Sequence, residues 1–174
     1  MLGRIIRILI TWQAYLRGAQ IGVGARLYQG ISIDRYSNIV LGTSSVIYKN
    51  TTIHLAERGC FRMGTNSHIA PYGYFLIDNQ SIVIGDDVAI GPFCCFFCQS
   101  NTYNSSEPLF RKNYRCSNIR IDNNVFLGAQ CVVLPGTHIE SDVIVAAHST
   151  VSGTLESGYI YGGSPARKIK ALPK

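Results

Sequence analysis

One stretch decides the fold: residues 119–153, IRIDNNVFLGAQCVVLPGTHIESDVIVAAHSTVSG, in which an aliphatic side chain returns at every sixth position. A small, β-branched or otherwise modest side chain follows four residues after each of them. A six-residue period is neither the 3.6 of a helix nor the alternation of an ordinary strand, and it indicates a repeat architecture. The two ladders are Ile121, Leu127, Val133, Ile139, Val145 and Val151, and Val125, Cys131, Thr137, Val143, Ser149 and Leu155.

The same register runs through the chain upstream, in blocks of three hexads separated by slips of phase. Three short strands that lie six residues apart complete one turn of a three-sided coil, and stacked turns bury the aliphatic ladders as one core. We therefore predict a single all-β coil over residues 19–170, followed by a short tail, 171–174. The upstream blocks are Ile21–Leu27–Ile33, Leu41–Ile47–Ile53, Met63–Ile69–Phe75 and Ile84–Ile90–Phe96.

Residues 1–18 have a different pattern, with apolar side chains at helical spacing and Arg4 and Arg7 between them. The run is too short to span a bilayer, and no small-residue cleavage site of a signal peptide follows it. We predict an amphipathic helix. It either caps the end of the core, which we favour, or rests on the inner face of a membrane. Its apolar positions are Leu2, Ile5, Ile6, Leu9, Trp12 and Leu16.

The charge and the cysteine content restrict the kinds of ligand that we expect the protein to bind. The net charge of +6 suits an anionic partner, but the basic residues are scattered, so we do not expect nucleic-acid binding. Six cysteines in 174 residues do not form a disulfide framework. Cys95 and Cys98 form a lone CxxC with too few further ligands for a metal site, and we interpret the cysteines as small buried side chains in a reducing cytoplasm.

Three segments occur in an order that resembles a known family. They are IGDDVAIGP (84–92), the repeat at 119–153, and the ending YGGSPARKIK (161–170). Together they resemble the hexapeptide-repeat acyltransferases, and among these the sugar O-acetyltransferases of the galactoside and xenobiotic type. The resemblance covers about residues 21–170 and implies a left-handed parallel β-helix, a homotrimer and active sites between subunits.

The implied reaction is transfer of an acetyl group from acetyl-CoA to a hydroxyl or amine, without a metal. The implied acceptor is a sugar of a bacterial surface polysaccharide or its precursor, and the implied location is the cytoplasm or the inner face of the plasma membrane. The residues that match the family's cofactor-contacting positions are Ala129 and Ala147 for the pantetheine arm, Ser152 and Gly153 in the next turn, and Arg167 and Lys170 for the phosphates. Plain corner packing and a solvated tail are the alternatives for these residues.

A long segment without period, residues 99–117, interrupts the repeat, and such loops are usually functional. The resemblance implies that it reaches the acceptor site, with Tyr103 in the loop and Asp78 and Asn79 one turn earlier as acceptor contacts. The family's catalytic histidine aligns with Asn101. An amide is not a base, and loss of a general base typically lowers a rate by about 10²–10⁴-fold.

Three explanations of Asn101 remain open: a deliberate change from histidine, a different base, or a degenerate family member. Among His54, His68, His138 and His148, we favour His68 and His148 as substitutes. A non-catalytic trimer that binds a ligand or serves as a scaffold is the alternative function. A γ-class carbonic anhydrase shares the coil, but the histidines lack the close downstream pair that its zinc site needs.

Overall fold

The computed structural model describes residues 2–103, 106 and 109–173. Residues 1, 104, 105, 107, 108 and 174, which belong to the predicted helix, loop and tail, lie outside the described residues. The chain forms one helix, Leu2–Leu16, and then a coil of short strands that stack as parallel sheets on three faces. This confirms the predicted all-β coil.

The three faces are named here in chain order. The first face contains the strands Gln20–Ile21, Ile39–Leu41, Cys60–Met63, Ser81–Ile84, Ile119–Ile121, His138–Ile139 and Thr154–Leu155. The second face contains Arg26–Leu27, Val46–Ile47, His68–Ile69, Ala89–Ile90, Val125–Leu127, Val143–Val145 and Tyr159–Gly162, and ends with the antiparallel strand Arg167–Ala171. The third face contains Ser32–Ile33, Thr52–Leu55, Tyr74–Asp78, Cys95–Phe97, Val132–Val133 and Thr150–Val151.

The hexad ladder forms the core of the coil. From Leu27 to Val151, every inward position of the predicted blocks is buried. Ile21, beside the helix, is partly buried and packs against the same core. On the third face the ladder becomes aromatic, and the rings of Phe75 and Phe96 stack with centroids 4.5 Å apart. Sequence period, burial and strand register therefore agree from Leu27 to Val151. Beyond it Leu155, which belongs to the second ladder in the sequence, is instead an inward residue that pairs with Ile139 on the first face.

The first and second corners bring successive turns into close contact. We call the bend between the first and second faces the first corner, that between the second and third faces the second corner, and that between the third face and the next turn the third corner. At the second corner a Cβ on Gly128 would lie 2.5 Å from the backbone nitrogen of Ala147 in the next turn. Side chains are thus excluded where successive turns approach each other, which explains the glycine that follows several inward residues.

In the first four turns, the spacing of inward residues departs from six only at the third corner. Inward residues are six positions apart wherever the chain passes the first or second corner of these turns. At the third corner the spacing is longer, as between Ile53 and Met63 and between Phe96 and Ile121, whereas Val133 and Ile139 keep six. The additional residues, the long loop included, are therefore all inserted along one edge, where some of them, such as Leu55 and Phe61, extend the strands and are buried in the core.

The helix Leu2–Leu16 packs on the first turn of the coil. Ala14 is buried in the core, and Ile10 packs against it. The Oγ1 of Thr11 donates a hydrogen bond to the carbonyl of Arg7 at 2.9 Å and accepts the N–H of Leu27 at 3.0 Å. In the described part of the chain, no helix combines the length and the apolar character needed to cross a bilayer.

Candidate active site

The second corner carries a column of small residues near the end of the coil. Ala129 and Ala147 follow the inward residues of successive turns, and the N–H of His148 donates to the carbonyl of Ala129 at 3.0 Å. The ending continues this column, because the N–H of Thr150 donates to the carbonyl of Gly163 at 3.0 Å. The column is a shallow track along which an extended ligand can approach the backbone.

Two basic side chains lie on the last strand, next to this column. Arg167 pairs with Gly162 and Lys170 with Ile160, and both side chains are exposed. Lys168 between them forms a salt bridge within the chain, since its Nζ lies 2.7 Å from Glu156 Oε2. That hydrogen bond raises the pKa of Lys168. Arg167 and Lys170 are therefore placed to meet anionic groups at the end of the small-residue column.

Ser152 and Gly153 lie elsewhere. Both are exposed at the third corner, where the carbonyl of Gly153 accepts the N–H of His138 at 3.0 Å. The structure does not bring them together with Ala129 and Ala147 on one subunit. The reason is their hexad phase: Ser152 directly follows Val151, an inward residue of the third face.

Asn101 has a structural partner. The strand Gln99–Asn101 pairs antiparallel with Tyr114–Cys116, so the base of the predicted loop is a hairpin. The Nδ2 of Asn101 donates to the carbonyl of Phe110 at 2.9 Å, across the hairpin. The side-chain amide thus ties the described part of the loop to the strand Gln99–Asn101. The resemblance to the acetyltransferases implies a histidine base at this position.

The predicted acceptor residues lie along the third corner and its loop. The carbonyl of Asp78 accepts the N–H of Ala56 at 2.9 Å, and Asn79 Oδ1 accepts the N–H of Arg58 at 3.2 Å. Both side chains are half-buried. Tyr103 is 70% exposed in the loop, so it is available to a ligand or to a neighbouring molecule.

A small cavity of ≈ 220 Å³ opens at the third corner of the first four turns. Asp34, His54, Asp78 and Gln99 line it together with Leu55, Ala56 and Leu76. Gln99 begins the hairpin that ends in Asn101, so the cavity adjoins the root of the loop. Polar side chains on an apolar wall are what a pocket for a hydroxyl-rich ligand requires.

Within this cavity, His54 and Asp34 form a pair. The Nδ1 of His54 lies 3.1 Å from Asp34 Oδ2, and the N–H of Leu55 donates to the same oxygen at 3.2 Å. The ring of Tyr74 packs edge-on against the imidazole, with centroids 5.5 Å apart. A carboxylate on Nδ1 fixes the tautomer with the lone pair on Nε2, which is the arrangement of a general base.

The other histidines have different surroundings. His138 Nε2 lies 2.9 Å from Asp122 Oδ2, and Arg120 Nε lies 2.7 Å from the other oxygen. Desolvation raises the pKa of Asp122, but the hydrogen bonds from His138 and Arg120 outweigh it and hold that pKa below its ordinary value. His68 packs against the ring of Tyr48, and His148 is exposed at the second corner. Of the four histidines, His54 is the one that both pairs with a carboxylate and lines the cavity beside the loop.

The interpretation of the cysteines as buried side chains holds for three of the six, whereas Cys60 and Cys95 are half-buried and Cys116 is exposed. Cys94, Cys98 and Cys131 are buried, and burial raises the pKa of Cys98 to about 12. Cys94 donates to the carbonyl of Gly128 at 3.2 Å, under the second corner. The part of the chain that the structure describes contains no group of three His, Cys, Asp or Glu side chains arranged to hold a metal ion.

Comparison with known proteins identifies the repeat. Residues 118–153 match the family described as bacterial transferase hexapeptide (six repeats). Galactoside O-acetyltransferase of Escherichia coli strain K12 is 29% identical over 119 residues, which are 64% of this chain and 57% of that enzyme. The putative lipopolysaccharide biosynthesis O-acetyl transferase WbbJ of the same strain is 25% identical over 165 residues, 93% of this chain and 78% of WbbJ.

Solved structures share the architecture. AntD, an N-acyltransferase from Bacillus cereus in complex with dTDP and 3-hydroxybutyryl-CoA, superposes with a TM-score of 0.78 at 23% identity and covers 94% of this chain and 88% of AntD. A hexapeptide-repeat acetyltransferase of Vibrio cholerae in complex with acetyl-CoA superposes with a TM-score of 0.66 at 23% identity. The match covers 95% of this chain and 76% of that enzyme. The chain therefore has the left-handed parallel β-helix fold, and its residues 118–153 match the hexapeptide-repeat family. It spans just over half of the galactoside enzyme.

Proposed function

We propose that the protein is an acetyl-CoA-dependent O-acetyltransferase that acts on a sugar of a bacterial surface polysaccharide or its precursor, in the cytoplasm or at the inner face of the plasma membrane. One observation carries this proposal: the histidine–carboxylate pair His54–Asp34 lies in a cavity at the root of the loop, on a coil that also has a small-residue column ending in basic side chains. The similarity to galactoside O-acetyltransferase and WbbJ supports the same reaction.

The donor would lie along the second corner. Ala129 and Ala147 leave room for the pantetheine arm against the backbone, and Arg167 and Lys170 would bind the phosphates of CoA through charge-assisted hydrogen bonds. The second corner and the cavity lie on opposite sides of the third face of one subunit. We therefore propose that the site is completed in a homotrimer, with the second corner of one subunit against the third corner of its neighbour. Ser152 and Gly153 would then contact a donor held by that neighbour.

His54 would act as the base that Asn101 cannot be. Its Nε2 would take the proton of the acceptor hydroxyl while the oxygen attacks the thioester carbonyl, and Asp34 would stabilise the imidazolium. The C–O bond forms, the C–S bond breaks, and the proton passes from the imidazolium to the leaving sulfur of CoA. Asp78, Asn79 and Tyr103 would hold the sugar by hydrogen bonds. An amino sugar could replace the hydroxyl acceptor in the same geometry.

The first test is a calorimetric titration with acetyl-CoA of the unaltered protein and of an Arg167→Ala variant. Saturable binding that weakens in the variant, together with acetyl transfer to sugars, supports the proposal. An Arg111→Ala variant is the matched control, because Arg111 is an exposed arginine of the loop region away from the last strand. Absence of binding at millimolar acetyl-CoA would overturn the proposal and favour the alternative, a trimeric scaffold that binds another ligand.

A further inference from the structure

The outer side of the N-terminal helix carries an apolar stripe. Six large side chains of this one helix are between 47% and 61% exposed. At 100° per residue they fall within an arc of roughly 120°, and that arc lies opposite the side that packs on the coil. The stripe residues are Ile5, Ile8, Leu9, Trp12, Tyr15 and Leu16.

The inner side of the same helix is also apolar, since Ile10 and Ala14 pack into the core. A helix that is apolar on both sides belongs in a fully apolar environment, and contiguous exposed apolar surface marks an interaction site. The first turn of the coil covers only the inner side. Thr11, bonded to Leu27 of that turn, fixes the rotation of the helix so that the stripe faces away from the coil.

The charge around the stripe is of one sign. Residues 1–33 contain four arginines and no aspartate or glutamate, and the first acidic residue of the sequence is Asp34. A groove of ≈ 610 Å³ runs between the helix and the first corner of the first turn. Arg4, Arg7 and Arg26 line it, with Trp12 and Tyr15. Guanidinium groups beside an exposed apolar strip combine recognition of phosphate with burial of hydrocarbon.

We propose that this stripe and groove dock the protein on an anionic phospholipid bilayer. The stripe would lie below the headgroups, Trp12 and Tyr15 would lie at the interface, and the arginines would meet lipid phosphates. A second copy of the chain fits less well, because two such surfaces would place their arginines against each other. The bilayer supplies both the apolar phase and the opposite charge.

This inference deepens the membrane-side location named under the proposed function, but it does not depend on acyl transfer. Docking is measured without acetyl-CoA, and donor binding is measured without lipid, so the two proposals fail separately. A docked helix would hold the first turn of the coil against the surface and keep the cavity of His54 within a few turns of a lipid-linked sugar.

The experiment is co-sedimentation of the whole protein with vesicles. Vesicles of phosphatidylcholine and phosphatidylglycerol in equal parts are compared with vesicles of phosphatidylcholine alone. We expect binding to the anionic vesicles that weakens as salt is added. Leu9→Ser with Trp12→Ser should reduce partitioning at least about tenfold, and Arg4→Gln with Arg26→Gln should reduce it by about fivefold per arginine.

Two control variants match these changes elsewhere on the surface. Val83→Ser with Phe126→Ser removes exposed apolar side chains from the coil, and Arg58→Gln with Arg111→Gln removes two exposed arginines. Circular dichroism and the acetyl-CoA titration check that each variant remains folded. Equal binding to both vesicle types, or no binding, would overturn the proposal. So would stripe variants that bind vesicles normally but change the oligomeric state in sedimentation velocity, which would assign the stripe to a second copy of the chain.

Discussion

The two halves of the coil differ in one respect. In the turns from Ile119 to Val151, the hexads follow each other without interruption, whereas the turns from Gln20 to Asn101 carry additional residues at every third corner. The first and second corners keep the six-residue spacing in both halves. The comparison teaches that the fold tolerates irregularity along one edge only, and that this edge is where Asp34, His54, Asp78 and Gln99 come together.

The regular half is specified by packing. Successive turns approach so closely at the second corner that glycine and alanine are required there. The irregular edge varies in length from turn to turn, and its additional residues place polar side chains such as His54 and Asp78 beside the buried Leu55 and Phe61. The small-residue column therefore lies at the closely packed second corner, and the proposed base lies at the third corner, whose length varies.

The largest effect should come from the histidine of the irregular half. His54→Asn should lower kcat for acetyl transfer by about 10²–10⁴-fold, because it removes the proposed base. The affinity for acetyl-CoA should stay unchanged in calorimetry. His138→Asn, which alters the histidine paired with Asp122 in the regular half, is the control and should keep nearly full kcat. Equal kcat values for the two variants would remove His54 from the mechanism.

A smaller effect on stability should distinguish a glycine of the second corner from a glycine of the third corner. Gly128→Ala should lower the free energy of unfolding by about 1–3 kcal/mol, because its Cβ meets the backbone of Ala147 at 2.5 Å. At the third corner, a Cβ on Gly153 has nothing within 4 Å, although φ is +72°. Gly153→Ala should therefore cost only about 1 kcal/mol, from backbone conformation. Urea denaturation of both variants measures the difference, and equal losses would contradict the distinction between tight and open corners.

Asn101 should have a modest effect. Asn101→Ala removes the hydrogen bond to the carbonyl of Phe110, so the hairpin should lose about 0.5–1.5 kcal/mol. Hydrogen exchange of the hairpin amides reports this loosening. We expect kcat to fall less than about tenfold, because the proposed base is His54. Ser100→Ala, at the neighbouring position, is the control, and a loss of kcat as large as that of His54→Asn would return the catalytic role to Asn101.

The smallest effect concerns the ion pairs of the regular half. The pKa of Asp122 is lowered, so its contribution to stability is present above the ordinary pKa of 3.8 and is lost as pH falls through the lower folded value. Asp122→Asn should lower the free energy of unfolding by less than about 1 kcal/mol at pH 7, since Arg120 and His138 are partly exposed. The difference should shrink below about pH 3. A difference that is constant with pH would show that the carboxylate charge is not its source.

The sequence could predict the coil because its constraint is local and repeated. Each inward residue must be apolar, and this requirement recurs at fixed intervals, as from Ile121 to Val151. The long loop was also visible, as a segment without period. The helix could be predicted from its spacing, although its apolar outer stripe became apparent only when the inner side was known.

The pair of His54 and Asp34 was not predicted, because it depends on how many residues are inserted at the third corner. The two residues lie twenty positions apart, not eighteen. One signal was available: each directly follows an inward residue of the third face, Ile33 or Ile53. Ser152 has the same phase, which explains its place at the third corner.

The last strand has a consequence for how the protein behaves at high concentration. Any stack of parallel strands ends in unpaired backbone groups that can recruit another chain and grow into a fibre. Here the final strand, Arg167–Ala171, reverses direction and pairs antiparallel with Tyr159–Gly162. It presents charged side chains at that end, and the helix Leu2–Leu16 covers the first turn at the other. The last strand thus covers the end of the second face, and removal of residues 167–173 should expose Tyr159–Gly162 and favour end-to-end association of two coils.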